Sequence, residues 1–428
     1  MPPNHAALLA DHDMAWAGER LCYGGCPVDE LVRETGTPAF IYLDERVSRN
    51  YRHFAEACEV PPWDGAVFYS AKTAPEPRLL RILRGHGAYV EVACLRELEL
   101  ALRNGFEPSR IMLDGPAHTE EVLRQALARG VELVKVDSLD QLRTVAAASN
   151  GSSVRVLLRL RSPTPRWAQS PAEGLITRFG LSGVDLRRAW DALRSYSHVH
   201  LDGLAVHVGS QVAGTGPYRR AGAALARAAR DAWNAGLRPA ILDVGGGFPS
   251  ATLRSPSAAA MARAMLGRAP APPLRAYGAA LRDALRPGRV PEEVTTIALE
   301  PGRVLVGSAA VLVTRVAAVK GSWVFLDASR NFVPESLLFA QRTFLPARRG
   351  ATAARRNLAG CTLSGGDVLA LGARLPQCSV GDVLVMLDAG AYTLSKANRF
   401  TTAIPPVFAL TGEGRLEAMR EGGTDDAS

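Results

Sequence analysis

Only four lysines occur in 428 residues, and one of them, Lys72, stands in Tyr69-Ser70-Ala71-Lys72-Thr73 directly after the apolar run Gly65 to Phe68. Nearly all other basic side chains are arginine, whose guanidinium keeps its proton and cannot add to a carbonyl. A lysine amine held partly desolvated at a strand end gives up its proton more readily and becomes a nucleophile toward a carbonyl. Four other segments carry groups of matching chemistry. His207-Val208-Gly209-Ser210-Gln211 offers a flat ring and a hydroxyl donor. Gly245-Gly246-Gly247, following Leu242-Asp243-Val244, lets backbone N–H groups approach an anion closely. Glu300-Pro301-Gly302-Arg303 sets a carboxylate and a guanidinium on one short turn, and Asp388-Ala389-Gly390-Ala391-Tyr392 ends on a phenol that could donate to a phosphate. Singly, each has an ordinary reading: a solvated lysine, a flexible turn, a surface ion pair, a core histidine, a packed tyrosine.

These residues need a frame, and the chain between 65 and 300 supplies one. Short apolar, β-branched runs (65 to 71, 87 to 93, 110 to 115, 132 to 137, 154 to 160, 200 to 208, 239 to 244, 295 to 300) alternate with stretches of helical period. Eight strand and helix units predict a parallel (β/α)8 TIM-like barrel, whose strands are buried on both faces and read as continuous apolar runs. Chemistry in that fold collects at the C-terminal strand ends, where Lys72, Glu91, His207, Gly245 to Gly247 and Glu300 all fall. After Arg303 the pattern turns to strands without long helices, which predicts a C-terminal antiparallel β-barrel or sandwich domain completed by the segment around Pro38 to Leu43. The expected domains are 1–44 as an N-terminal contribution to the β domain, 45–305 as the barrel and 306–428 as the β domain. Ser255 to Leu274, rich in Ala and Pro, reads as an insertion between the last two barrel strands.

Composition narrows the function classes. No apolar run reaches the length of a bilayer span, and Met1-Pro2-Pro3-Asn4-His5 does not open a secretory signal, so no membrane partner and a cytoplasmic location are expected. Six scattered cysteines predict free thiols, and no second Cys or His pair joins Cys22 and Cys26 to make a zinc set, so no metal is expected. The net charge of +8 is spread along the chain with 42 acidic residues, and no nucleic-acid motif accompanies it. The local cluster Arg342 to Arg356 reads as a solvated or disordered loop.

Pyridoxal phosphate is the commonest carbonyl partner of such a lysine. With YSAKT, EVACLREL, HVGSQ, DVGGGF, EPGR and DAGAY in order from about residue 36 to 410, the chain resembles the fold-type III pyridoxal-phosphate decarboxylases, the family of diaminopimelate, ornithine and arginine decarboxylases. The resemblance implies an alanine racemase-like fold, pyridoxal 5'-phosphate as cofactor, and a homodimer whose active sites are shared. It implies Lys72 as the Schiff-base lysine, His207 stacked on the ring and Glu300 against the pyridine nitrogen. Ser210, Gly245, Gly246, Gly247, Gly302, Arg303 and Tyr392 would surround the phosphate, with Glu91 and Glu97 at the family's acidic positions near the lysine. Glu91 stands where aspartate is usual. A pyridinium kept protonated by Glu300 is a full electron sink, which favours decarboxylation over racemisation.

Two departures bear on the reaction. The family's partner-supplied cysteine lies in a G-P-x-C-x-x-x-D pattern, and ungapped alignment on Gly360 and Asp367 puts Leu363 there. Either Cys361, two residues early, is the proton donor, or another acid such as water, Lys72 or a tyrosine serves. The usual substrate clamps are also missing: Ser364 and Val333 replace an acid and an arginine of diaminopimelate enzymes, and Ala340 and Ser364 replace aspartates of ornithine enzymes. Arg330, Ser364 and Asp367 are the candidate substrate contacts. The expected activity is decarboxylation of an amino acid or derivative that is less charged, modified or carrier-linked, in specialised metabolism. The alternatives are an enzyme of the same fold with another outcome, epimerisation or decarboxylation with deamination, and a catalytically silent homologue.

Overall fold

The computed structural model describes residues 3–163, 178–251, 271–334, 344–349 and 353–420. It divides into two compact units, Tyr51–Pro249 with Ala271–Gly302, and Met1–Asn50 with Ser250–Pro270 and Arg303–Ser428.

The first unit is a closed parallel barrel. Its strands are β1 (Asp64–Ser70), β2 (Tyr89–Val92), β3 (Ile111–Asp114), β4 (Leu133–Val136), β5 (Val154–Leu160), β6 (Val199–Val206), β7 (Ile241–Asp243) and β8 (Thr296–Leu299). They pair in chain order, and β8 closes the ring on β1 with Thr296 opposite Asp64 and Leu299 opposite Val67. All eight runs read from the sequence are these strands. Helices follow them as the periodicity predicts, several started by a hydroxyl cap: the side chains of Thr119, Ser138 and Ser182 accept the N–H groups of Val122, Gln141 and Asp185.

Side chains alternate in and out along a strand, and the inward set forms an apolar layer of Ala66, Phe68, Met112, Leu133, Leu157, Ala205, Ile241 and Ala298, with Tyr89 packed against it. One step of two residues further along each strand changes its character completely. Phe68, Tyr89, Met112, Leu133, Leu157, Ala205, Ile241 and Ala298 are followed at that spacing by Ser70, Glu91, Asp114, Lys135, Arg159, His207, Asp243 and Glu300. Every strand thus ends its inward face on a polar or ionisable group, above a dry floor that lowers the local dielectric.

The second unit holds a sheet in the order Val368–Pro376, Ala353–Ala359, Trp323–Leu326, Ala310–Lys320, Ala39–Leu43, Val407–Leu410, Leu416–Arg420, with Val383–Met386 and Phe344–Pro346 off that path. Most pairings are antiparallel, but Trp323–Leu326 with Ala353–Ala359 and Ala39–Leu43 with Val407–Leu410 are parallel. Ala39–Leu43 is buried at every residue and pairs on both sides. A small sheet of Met14–Ala17, Arg20–Tyr23 and Cys26–Pro27 precedes it, turning at Gly24 and Gly25, and the sequence reading did not anticipate it. All six cysteines are free.

The basic cluster at 342–356 is a correction. Its described parts include the strands Phe344–Pro346 and Ala353–Ala359 rather than a loop alone: Phe344 and Leu345 bury their side chains, while Arg348, Arg349 and Arg355 are exposed. The Ala- and Pro-rich stretch from 255 lies outside the described residues as far as 270, and Leu274 already opens the helix Leu274–Ala284. Among the described residues no helix is long and apolar enough to cross a membrane.

Candidate active site

Lys72 leaves β1 in the short turn Ala71–Thr73, which points its side chain along the barrel mouth while Ala71 and Thr73 are buried. Its amine meets Glu91 Oε1 at 2.5 Å, and Ser70 Oγ donates to the other oxygen of the same carboxylate at 2.5 Å. Glu91 is sealed, yet the Lys72 side chain stays 43% exposed, so the amine is anchored and reachable together. Burial pushes the Glu91 carboxyl up, while Lys72 pulls it down. Glu97, in the first turn of the helix Leu95–Arg103, accepts the Ala93 N–H on its Oε2 at 2.8 Å.

The carboxylates of Glu91, Asp114 and Glu300 lie within 4.8 Å of one another. Glu300 Oε1 takes the ammonium of Lys135, which also lies 2.8 Å from Asp243 and 3.4 Å from Asp114. Burial and the Asp243 carboxylate push Glu300 up to about 7 against the pull of Lys135. Lys135 resists burial and is driven well above the usual lysine value by Asp114, Asp243 and Glu300. Sequence reading passed over Lys135, Asp114 and Asp243. The available signal was the strand period, since each stands two residues beyond an inward apolar side chain.

His207 ends β6 with 31% of its side chain exposed. Burial, then the cations of Arg159, Lys72 and Lys135, push it down to about 3. The Gly246 N–H donates to its Nδ1 at 3.3 Å, which fixes the neutral tautomer with the proton on Nε2. Its Nδ1 lies 3.9 Å from Glu300 Oε2.

The glycine run binds this frame together. Gly245 and Gly247 take φ of 75° and 86°, which only glycine adopts at little cost, and a Cβ on Gly247 would strike the Gly209 carbonyl. The Gly245 N–H donates to Asp243 at 2.8 Å, Gly245 O accepts from Glu300 N at 3.0 Å, and Gly247 O accepts from Val212 N at 2.9 Å. Tyr218 OH, buried among Phe248 and Tyr277, donates to Gly246 O at 3.0 Å. Ser210 is half-buried in the turn after β6, and Gly302 packs on Thr73.

The remaining predicted residues belong to the second unit. There the Arg303 guanidinium lies 4.7 Å from the centre of the Tyr392 ring. Asp367 is consumed by its own loops: its carboxylate accepts from Arg330 N at 2.7 Å, Thr362 N at 2.9 Å, Thr362 Oγ1 at 2.6 Å and Ser329 Oγ at 3.1 Å. These bonds make Asp367 an anchor of its own loops. Arg330 gives its guanidinium to Gly366 O at 3.2 Å, Ser364 is exposed, and Leu363 is 96% exposed. Cys361 is exposed as a residue, but the packing around its sulfur and the Asp367 carboxylate push its thiol up, so it stays protonated.

An open, anchored amine, a neutral imidazole, a sealed carboxylate and a glycine turn whose backbone other groups can approach closely fit an aldehyde cofactor that also carries a basic ring nitrogen and a phosphate. Fold and site together define a barrel enzyme of the lysine-plus-cofactor kind. The family model for the pyridoxal-binding domain of pyridoxal-dependent decarboxylases matches residues 44–307, and the chain belongs to that family: it is a pyridoxal-phosphate-dependent amino-acid decarboxylase. Among its relatives, a diaminopimelate decarboxylase of Actinosynnema pretiosum subsp. auranticum is 31% identical over 94% of this chain and 90% of its own length. A lysine/ornithine decarboxylase of Selenomonas ruminantium is 26% identical over 87% and 89%. The solved structure of a diaminopimelate decarboxylase from M. jannaschii superposes with a TM-score of 0.87, covering 97% of this chain and 96% of that one at 22% identity, a likeness of fold.

Proposed function

We propose that the chain decarboxylates an α-amino acid whose side chain lacks the distal charge of diaminopimelate, ornithine or lysine, with modified or carrier-linked amino acids included. The observation that carries the catalytic half of this reading is the Lys72 amine, open to solvent yet held by Glu91 in the same polar layer as Glu300. In it Lys72 holds the cofactor, His207 supplies a neutral flat ring, Glu300 holds the ring-nitrogen proton, and Ser210 with Gly245 to Gly247 receives the phosphate. Bound pyridoxal phosphate supplies the electron sink for the pair released when the α-carboxylate leaves. Glu91 orients the Lys72 amine and can take or return its proton, since its carboxyl is pushed up by burial. His207, neutral at working pH, adds no charge that would compete for the Glu300 carboxylate.

The substrate half is supported by the loop 361–367. Asp367 is engaged by four donors of its own loops, Ser364 is neutral, and Leu363 is an apolar tip. A bare leucine also supports a homodimer in which this loop is covered, and Cys361, with its thiol kept protonated, is the proposed proton donor.

The test is purified protein with pyridoxal phosphate, read by visible absorbance and by CO2 and amine release across L- and D-amino acids, their N-acylated forms, and diaminopimelate, lysine and ornithine. The expected result is a visible band absent from Lys72→Ala and CO2 from an uncharged or derivatised member. Fastest turnover on diaminopimelate or ornithine would overturn the substrate assignment, and a band unchanged in Lys72→Ala would overturn the lysine assignment.

A further inference from the structure

Lys135 is a second lysine in the barrel mouth, yet its amine cannot serve as a second nucleophile. Its side chain is 3% exposed and its charge is shared among Asp114, Asp243 and Glu300. A buried ammonium loses its hydration, a cost that only well-arranged partners offset. Here β7 and the end of β8, which are neighbours, and β3 on another part of the ring each bring one carboxylate.

The charges that act on Glu300 are Lys135, Asp114, Asp243, Glu91 and Lys72, with the neutral His207 beside it. Three are carboxylates, which all favour a proton on Glu300. Lys135 is in direct contact with its carboxylate. We propose that Lys135 is a positioning residue that keeps Glu300 anionic, so that the proton shared between Glu300 and a bound pyridine nitrogen resides on the ring. This rests on the reading of Glu300 given above. The step involves one proton and no bond to carbon: with Lys135 present it sits on nitrogen, and without the ammonium the neighbouring carboxylates draw it to the Glu300 oxygen. A neutral ring is the weaker electron sink. Lys135 thus acts on the chemistry without touching the reacting atoms.

The experiment uses holoenzyme loaded with pyridoxal phosphate labelled with 15N at the ring nitrogen, and reads the nitrogen resonance by NMR as a function of pH. Wild type and Lys135→Arg are expected at the protonated position at neutral pH, and Lys135→Met near that of unprotonated pyridine. Lys135→Gln keeps a polar side chain without the charge and is expected to shift the resonance the same way as Lys135→Met, which keeps the inference open to refutation if Lys135→Met does not fold. A merely structural lysine would leave the resonance of folded Lys135→Met or Lys135→Gln at the wild-type position, and that result overturns the inference. Glu300→Gln separates the two ideas. A resonance unchanged in Glu300→Gln removes the Glu300 reading itself, whereas one that moves there but not in Lys135→Met removes only the role of Lys135.

Discussion

At the scale of single residues, the barrel mouth works by opposing burial with neighbours. Glu91 and Glu300 are pushed up, Asp114 is pulled down despite its burial by Lys135, Lys72 and Arg159, and His207 is pushed down. For His207 the consequence is a neutral ring from high pH down to about 3, while an unfolded histidine takes its proton near 6.5. Between those values the unfolded chain binds more protons, so this site costs stability as pH falls from 6.5 towards 3. Proton NMR of the cofactor-free protein is expected to show no His207 inflection near 6.5, and a normal titration there would refute the neutral-ring account. Lys72, Glu91, His207 and Glu300 were legible in the sequence because motif order and strand ends coincide. Lys135, Asp114 and Asp243 were not, because their meaning comes from pairing across β3, β4, β7 and β8, and no local motif encodes a ring of charges.

At the scale of elements, the glycine turn after β7 is as much positioned as positioning. Phe54, Phe248, Tyr218 and Tyr277 form one aromatic group beneath it, and two of their hydroxyls reach backbone carbonyls, Tyr218 to Gly246 and Tyr277 to Val212. Tyr218→Phe keeps the packing and removes one bond, leaving the buried Gly246 carbonyl short of a donor. The expected cost is about 1–3 kcal/mol of stability, seen as a lower thermal midpoint, together with weaker pyridoxal phosphate binding in a fluorescence titration. Unchanged affinity would show that the turn holds its shape without this tie. The glycines announced a close backbone approach in the sequence, but the aromatic floor did not, since Phe54, Tyr218, Phe248 and Tyr277 come from four separated stretches.

At the scale of the whole molecule, the eight barrel strands were legible because parallel strands covered on both faces leave uninterrupted apolar runs. The second unit was harder: its sheet mixes parallel and antiparallel pairings, and its two parallel pairings join segments far apart in the chain. The consequence is that Ala39–Leu43 is an interior strand supplied by the start of the chain. Deleting residues 1–43 bares the edges of Ala310–Lys320 and Val407–Leu410, and unpaired edges recruit other chains. The truncated protein is expected to elute as aggregate in size-exclusion chromatography, and a monodisperse product would show that this strand is dispensable. The scarcity of lysine has a practical outcome of another kind. Lys135 is sealed, and Lys320 and Lys396 lie on the exposed surface of the other unit, so Lys72 is the one barrel amine that an acylating reagent can reach. Mass spectrometry after such labelling reads cofactor occupancy directly, because the tag on Lys72 disappears when the site is filled while those on Lys320 and Lys396 stay as internal standards.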